Sequence, residues 1–292
     1  MRHLPKLFEI LQKQTISFEL VVIDSSSTDG TGEFVKSYAD KLITIRQSEF
    51  DHGGTRTIAA KEASGDILIF LTQDALPKDT QSLAKLLKAF EKNGVVAAYG
   101  RQLPHSDASL FAQHLRAFNY TNNSYIRSFK DSKQYGLKTA FLSDSFSAYK
   151  KSAVANAGWF QEGTIFGEDM HLVARLLLEG GKVAYVAEAM VYHSHNYSVL
   201  EDFQRYFDTG VFHARQSWLI EKFGKAEGEG RRYVQSELNS LLSNGAYLRI
   251  PEFFLRNAMK LLGYKLGKNY EKLPRALAVA LSMHKSWWKR WA

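Results

Sequence analysis

Short apolar runs alternate with helix-like segments through the first hundred residues, and this alternation limits the possible folds more than any other feature. The strand-like runs cover residues 18–23, 42–45, 66–72 and 95–99. The helix-like segments, which carry apolar residues at helical spacing, cover residues 4–11, 33–39, 55–63 and 79–93. Continuous apolar strands between helices are typical of parallel sheets that are buried on both faces. The sequence therefore predicts an α/β fold in which a mostly parallel sheet is flanked by helices.

The next hundred residues continue this pattern after an interruption. Residues 101–165 are polar and aromatic with weak periodicity. We expect them to form a long excursion over the carboxyl edge of the sheet, where ligands bind in open α/β folds. A helix over residues 169–179 and short strands over residues 182–186 and 190–192 are predicted to follow.

Strand signals stop near residue 199, and helical segments dominate from there. We therefore predict an α/β domain over residues 1–198 and a C-terminal helical region over residues 199–292. Residues 256–292 hold nine basic residues and one acidic residue, a net charge of +8 that equals the net charge of the whole chain. This segment, called the basic tail below, also carries three of the five tryptophans within its last six residues. The rest of the chain is neutral overall.

Composition excludes several classes of chemistry and points to a compartment. Without cysteine, the chain has no disulfide, no thiol nucleophile and no thiolate metal site. No run approaches the ~20 apolar residues that cross a bilayer, and the first residues lack the apolar core of a signal peptide. We expect a cytoplasmic protein whose contact with a membrane, if it has one, is peripheral.

Two loops follow the first strands and could hold an anionic, nucleotide-like ligand. Asp24 ends a buried strand, where its carboxylate can accept hydrogen bonds from a base or a ribose. Residues 27–29 next to it could equally well cap the following helix. In the second loop, paired glycines at Gly53 and Gly54 precede a helix that carries Arg56. Backbone N–H groups at a helix start and a forked guanidinium both suit phosphate oxygens, although glycine-rich helix starts are common.

Carboxylates and imidazoles follow the later strands. Asp74 follows the third strand and can ligate a divalent cation such as Mg²⁺, or serve only as a turn residue. His193 and His195 alternate after the last strand, point the same way and could share a metal or an anion. Glu168 and Asp169 open a helix, where acidic residues often do no more than complement the helix dipole.

Taken in order, five motifs resemble those of one family. The motifs DSSSTDGT, FDHGGTRT, LTQDALP, FGEDM and VYHSHNYS are similar to those of the family 2 glycosyltransferases with the GT-A fold. The resemblance is greatest to their rhamnosyltransferase branch, which builds O-antigen and related surface polysaccharides. It extends from the first residues to about residue 215.

The resemblance implies a role for each motif residue. Asp169 would be the catalytic base with Glu168 as its neighbour, and a divalent cation, Mg²⁺ or Mn²⁺, would be held by Asp74, His195 and His193. The nucleotide-sugar donor would be bound by Asp24, Ser26, His52, Gly53 and Arg56, with Asp24 at the base and Arg56 near the diphosphate. Trp159 and Phe160 would shape the acceptor side.

The implied activity is an inverting transfer of a sugar from a nucleotide-diphosphate donor to a glycan or lipid-linked acceptor. The donor that the resemblance implies is dTDP-rhamnose. Two departures from the family stand out. The strand that usually precedes the first helix is missing, and Gln73-Asp74-Ala75 has one carboxylate where many relatives have two or three.

The basic tail and the departures leave alternatives open. Basic, amphipathic helices with tryptophans lie in the membrane interface, so we expect the tail to dock on an anionic membrane surface. A helix packed on the body with a solvated basic face is the competing interpretation. A catalytically impaired transferase-like protein that binds a glycan or a partner is a second possible function. Nucleic-acid binding through the tail is a remote third.

Overall fold

The computed structural model describes residues 1–292 and begins with an α/β part. Its helices are α1 (Leu4–Gln12), α2 (Thr31–Lys36), α3 (His52–Glu62), α4 (Ser82–Leu87), α5 (Leu110–Asn119), α6 (Ser132–Tyr135), α7 (Lys151–Asn156) and α8 (Glu168–Leu178). Its strands are β1 (Val21–Asp24), β2 (Lys41–Thr44), β3 (Ile67–Leu71), β4 (Leu76–Pro77), β5 (Val95–Leu103), β6 (Tyr125–Arg127), β7 (Phe146–Lys150) and β8 (Lys182–Tyr192). The predicted alternation of strands and helices is therefore present.

The strands form two separate sheets. β1 and β2 pair in parallel, and the other six form a sheet in the order β3-β7-β5-β8-β4, with β6 also paired to β8. Within the larger sheet only β5 and β8 run parallel, so the sheet is mixed, with more antiparallel pairing than the sequence suggested. The reason is β7, which returns from the long excursion and inserts antiparallel between β3 and β5.

Alternate residues of the central strands point into two different cores. Ala98 pairs with Ala148 and Ala184 in neighbouring strands, and these small side chains face the layer that contains α1 and α4. Tyr99, next along β5, faces the opposite layer, which contains α8 and the C-terminal helices. This period of two is the pleat of a sheet that is covered on both faces.

The C-terminal region is helical, as predicted, and begins on a capped helix. Its helices are α9 (Val199–Arg215), α10 (Ser217–Phe223), α11 (Glu229–Ser243), α12 (Ile250–Lys268), α13 (Arg275–Leu281) and α14 (Lys285–Trp291). Ser198 caps α9 by accepting the Glu201 N–H, while the Glu201 carboxylate accepts the Ser198 N–H. None of these helices is long and apolar enough to cross a membrane.

Helices α9 and α12 approach each other closely through glycines. A Cβ at Gly267 would lie 1.9 Å from the Phe207 carbonyl oxygen, and one at Gly263 would lie 2.4 Å from that of Phe203. No side chain fits in that space. The inner face of α12 is therefore fixed against α9.

Candidate active site

Asp74, His193 and His195 meet at one edge of the sheet. Nε2 of His193 and Nε2 of His195 lie 3.5 Å and 3.7 Å from Oδ2 of Asp74. The three candidate ligand atoms lie within 4.8 Å of one another. The structure thus brings together all three residues that the sequence predicts for a metal site, because Asp74 follows β3 while both histidines follow β8.

The electrostatics of this group favour neutral imidazoles beside a charged carboxylate. Burial lowers the pKa of His193, and burial together with the His193 charge lowers the pKa of His195 to about 4. Burial opposes ionisation of Asp74, but the adjacent His193 holds its pKa below the usual range. Neutral histidine and ionised aspartate are the forms that bind metal ions.

A neighbouring amide orients His193. Nδ1 of His193 lies 2.8 Å from Oε1 of Gln102, so Nδ1 is the donor and the lone pair of Nε2 faces Asp74. A lone pair facing a carboxylate is repulsive unless a cation or a proton lies between them. The donor set therefore fits a divalent cation held by two imidazoles and one carboxylate, with Gln102 fixing one ring from behind. A cavity of about 300 Å³ opens beside this group and is lined by Asp74, His195 and Tyr197, among others.

A second group of carboxylates lies at the start of α8. Glu168 is buried and Asp169 half-buried in its first turn, after Gly167, whose φ of +79° and proximity to Phe212 leave no room for a side chain. Oδ2 of Asp169 accepts the backbone N–H of Asp144 at 3.3 Å. Burial, and then the charges of Glu168 and Asp144, raise the pKa of Asp169 well above that of an ordinary carboxyl. A carboxylate with a raised proton affinity suits a general base.

Asp144 is a site residue that sequence reasoning missed. It is buried, and its Oδ1 accepts hydrogen bonds from Ser147 Oγ and Tyr149 OH, both at 2.6 Å. It lies in the long excursion, where no periodicity or motif marked it. The only sequence signal was an acidic residue two positions before the unrecognised strand β7.

Arg56 has partners other than those predicted. Its Nε lies 2.9 Å from Asp144 Oδ2, and its Nη1 forms an ion pair with Glu168. The guanidinium therefore bridges two carboxylates of the catalytic group. Its predicted contact with a diphosphate stays a prediction, and in this structure Arg56 holds the carboxylates around Asp169 in place.

Two other predicted donor residues, Asp24 and Ser26, lie where β1 ends and the next loop begins. Asp24 ends β1 and accepts hydrogen bonds from the N–H and the hydroxyl of Ser27. Ser26, with a φ of +57°, donates its hydroxyl to the Ile45 carbonyl at 2.8 Å. Both residues shape the loop between β1 and α2, and neither lines the cavity beside Asp74. Their contact with a nucleotide stays a prediction.

The paired glycines pack closely at the start of α3, and the predicted contact of Gly53 with the donor stays a prediction. A Cβ at Gly53 would lie 1.9 Å from the Gln161 carbonyl oxygen, so the start of α3 is pressed against the segment that leads to Glu168. The Gly54 N–H donates to Asp51 Oδ1 at 2.7 Å. His52 is largely enclosed and contacts the rings of Phe50 and His284. The expectation that this loop presents free N–H groups to a phosphate is wrong for Gly54.

The two predicted acceptor residues have different surroundings. Phe160 is buried and packs edge-on against Phe70 and Tyr149. It is a core residue and cannot contact an acceptor, so this part of the expectation is wrong. Trp159 is half-buried with a φ of +66° beside the Lys61 ammonium, and its role stays a prediction.

Helix α14 supports the loops that carry these residues. Trp287 Nε1–H donates to the Gly163 carbonyl at 2.9 Å, and the Gly163 N–H donates to Asp51 Oδ2 at 3.2 Å. Arg290 donates to the Glu49 carbonyl at 2.7 Å. Trp287 and Trp288 are only 6% and 3% exposed and belong to the main core. The expectation that the terminal tryptophans lie in a membrane interface is therefore wrong for these two.

The α/β part of the chain therefore carries a group of buried carboxylates at the start of α8 and a candidate cation site at a sheet edge. Residues 3–158 match the model of the family described as glycosyl transferase family 2. The chain belongs to this family and is a glycosyltransferase with the GT-A fold.

Two bacterial relatives are similar over nearly the full chain. The O-antigen chain rhamnosyltransferase WbaN of Salmonella anatum is 47% identical over 96% of this chain and 90% of its own length. The O-antigen chain rhamnosyltransferase RfbN of Salmonella typhimurium is 45% identical over 97% of this chain and 91% of its own length.

Solved structures share the fold at low identity. A mannosyltransferase from Pyrobaculum calidifontis, solved with GDP-Man and Mn²⁺, superposes with a TM-score of 0.64 at 16% identity, over 93% of this chain and 84% of that one. TarS of Staphylococcus aureus, solved with UDP-GlcNAc, gives a TM-score of 0.56 at 17% identity, over 97% of this chain and 80% of that one.

Proposed function

We propose that this glycosyltransferase moves rhamnose from dTDP-rhamnose to a glycan or lipid-linked acceptor in O-antigen synthesis, with inversion at the anomeric carbon. Near-full-length similarity to two O-antigen rhamnosyltransferases supports the donor and the pathway. The observation that carries the chemistry is the half-buried Asp169, with its raised pKa, beside Asp144 and Glu168.

Asp169 acts as the general base. The acceptor hydroxyl oxygen bonds to the anomeric carbon as the bond from that carbon to the diphosphate oxygen breaks. The hydroxyl proton passes to the Asp169 carboxylate, and the nucleoside diphosphate leaves. Because the attack comes from the face opposite the leaving group, one displacement inverts the configuration. Arg56 keeps Glu168 and Asp144 in place, so that their charges keep Asp169 basic.

Asp74, His193 and His195 hold a divalent cation in this proposal. When bound, the cation neutralises negative charge on the diphosphate. Mg²⁺ takes mainly oxygen ligands, and two of these three ligands are imidazoles, so Mn²⁺ fits the set better than Mg²⁺. The Mn²⁺ in the mannosyltransferase complex agrees with that choice. Asp24, Ser26, His52, Gly53 and Arg56 are retained as donor-site candidates.

The proposed location is cytoplasmic, at the inner face of the membrane that carries a lipid-linked acceptor. The positive charge of the chain resides in the basic tail, which favours an anionic lipid surface. The catalytically impaired alternative predicts donor or glycan binding without turnover. An activity assay therefore decides between the two functions.

The test replaces Asp169 by Asn and follows sugar transfer from dTDP-rhamnose with Mn²⁺ present. Transfer should fall by about 10²–10⁴, the usual contribution of a general base, while calorimetric binding of the donor persists. Glu179→Gln, which alters an exposed carboxylate just beyond the same helix, is the matched control and should leave transfer unchanged. Wild-type turnover in Asp169→Asn would remove Asp169 from the role. A wild-type protein without turnover would favour the impaired alternative.

A further inference from the structure

Helix α12 is apolar on both of its long faces. Its inner face packs on α9 through Gly263 and Gly267, and Phe253 packs with Phe111 and Leu241. Apolar residues recur at helical spacing along its outer face, and no other part of the chain covers them. The outer face begins in the preceding 3-10 turn and consists of large side chains that are 47–96% exposed: Tyr247, Leu248, Phe254, Leu255, Leu261 and Leu262. We call these six residues the outer α12 face.

This exposure is unusual for a folded chain. Leu248 is 96% exposed, and the adjacent residues Phe254 and Leu255 are 61% and 52% exposed. Single exposed apolar residues are common on protein surfaces, but a contiguous row usually marks a binding surface. No helix or loop of this chain packs over the row, so its partner lies outside the chain.

The charges in the segment that carries the row are mostly positive. From residue 244 to residue 270, the only acidic residue is Glu252, which pairs with Arg249 and Arg256. Lys265 is exposed in line with the row, and Arg249 is exposed at its start. An apolar strip with basic residues at both ends suits the boundary between acyl chains and anionic headgroups.

The row also begins next to the active site. A cavity of about 340 Å³ is lined by Tyr197, Arg249 and Arg256, among others. Tyr197 and Asn196 line this cavity and also the cavity beside Asp74. The start of α12 therefore lines a cavity that shares two wall residues with the cavity beside the proposed metal site. A surface that lies on the membrane at this point would bring the glycan of a lipid-linked acceptor toward Asp74.

We infer that the outer α12 face is the membrane-docking surface of this enzyme and that its occupant is an anionic lipid bilayer. This inference rests on the proposed function in one respect: the lipid-linked acceptor is the reason why the enzyme would dock on a membrane. It replaces the buried tryptophans of α14 as the site of docking. The six side chains lie at the acyl boundary, with Arg249 and Lys265 at the headgroups.

The experiment measures co-sedimentation of the full chain with vesicles of phosphatidylcholine, with and without phosphatidylglycerol. The wild type should bind the vesicles that contain phosphatidylglycerol. Leu255→Glu with Leu262→Glu should weaken this binding by about tenfold or more, because both side chains would leave the acyl boundary carrying charge. The matched control is Ile126→Glu with Leu178→Glu, which places the same two charges on exposed apolar residues elsewhere and should leave most of the binding intact.

A second pair separates apolar burial from charge. Leu255→Ser with Leu262→Ser keeps the net charge and should still lose most of the binding. Circular dichroism confirms that each variant is folded. Equal vesicle binding by the wild type and by both α12 variants would overturn the inference. So would a wild-type dimer in sedimentation equilibrium that the α12 variants disrupt while no form binds vesicles, because a second copy would then cover the face.

Activity distinguishes failure of this inference from failure of the proposed function. With a short water-soluble acceptor, the α12 variants should transfer sugar as fast as the wild type. Vesicle binding that depends on α12, in a wild type without rhamnose transfer, would overturn the function and support the surface. Rhamnose transfer by a wild type that binds no vesicles would overturn the docking surface and support the proposed function.

Discussion

Helices α12 and α14 both contain residues of the basic tail but meet different environments. In α14 the apolar residues are tryptophans that enter the main core and contact the loops of the active site. In α12 the six residues of the outer α12 face remain exposed. The difference shows that positive charge and apolar residues in one segment can serve two roles. One part contacts the loops of the candidate site, and the other part is exposed.

The largest expected effect separates the two helices by stability. Trp287→Ala should lower the free energy of unfolding by about 3–5 kcal/mol, because it empties a core site and removes the hydrogen bond to Gly163. Urea unfolding measures this change. Leu248→Ala, on the outer α12 face, should change stability by less than about 0.5 kcal/mol.

In vesicle binding, the same two variants should show the opposite order of effects. Below its unfolding transition, Trp287→Ala should bind vesicles like the wild type, whereas Leu248→Ala should bind more weakly. If Trp287→Ala lost binding while folded, the division of roles between α12 and α14 would fail.

A smaller effect is expected where α12 meets α9. Gly267→Ala should cost about 1–3 kcal/mol, because the new Cβ would collide with the Phe207 carbonyl and force the helices apart. Thermal unfolding measures the loss. Gly230→Ala, at an open position in α11, is the matched control. Equal stability of the two variants would contradict the tight inner face of α12.

The smallest expected effect is on the pH dependence of kcat/KM, and it tests the environment of Asp169. Burial, Glu168 and Asp144 raise the pKa of Asp169, while Arg56 lowers it; Tyr149 and Tyr120 also lie nearby. Because the base must be ionised, kcat/KM should rise with pH through this raised pKa. Asp144→Asn removes one negative neighbour and leaves the Arg56 charge less neutralised, so the pKa of Asp169 should fall.

The acidic limb of kcat/KM should therefore move to lower pH by about one pH unit in Asp144→Asn. Glu179→Gln should leave the limb in place. Trp287→Ala should shift it in the same direction as Asp144→Asn, since loosened loops admit water to Asp169. A limb that stays fixed in both Asp144→Asn and Trp287→Ala would mean that Asp169 is not the group that titrates.

Local sequence patterns predicted the residues whose position follows from strand order. Asp74, His193 and His195 come together because strand ends gather at one sheet edge. The apolar runs placed each of them after a strand, and the resemblance to the family joined them into one predicted metal site. The GT-A fold followed from the same alternation together with the motifs. The mixed parallel and antiparallel pairing of the larger sheet could not be predicted from the sequence, because β7 is short and its serine obscures the apolar pattern.

Contacts between residues that are far apart in the chain could not be predicted from the sequence. Arg56 and Glu168 are 112 residues apart, and no local pattern shows that a guanidinium will meet carboxylates rather than phosphates. Likewise, the amphipathic pattern of the basic tail shows that an apolar face exists but not which face is already covered. That is why the tryptophans were expected at a membrane and are found in the core.

The hydrogen bond from Arg290 to the Glu49 carbonyl joins two residues that are 241 positions apart in the chain. Contacts between such distant residues form slowly, because closing a long loop costs chain entropy before the contact stabilises anything. The catalytic loops should therefore reach their final order late in folding, after the sheet. A refolding chain should regain its circular dichroism before it regains transferase activity.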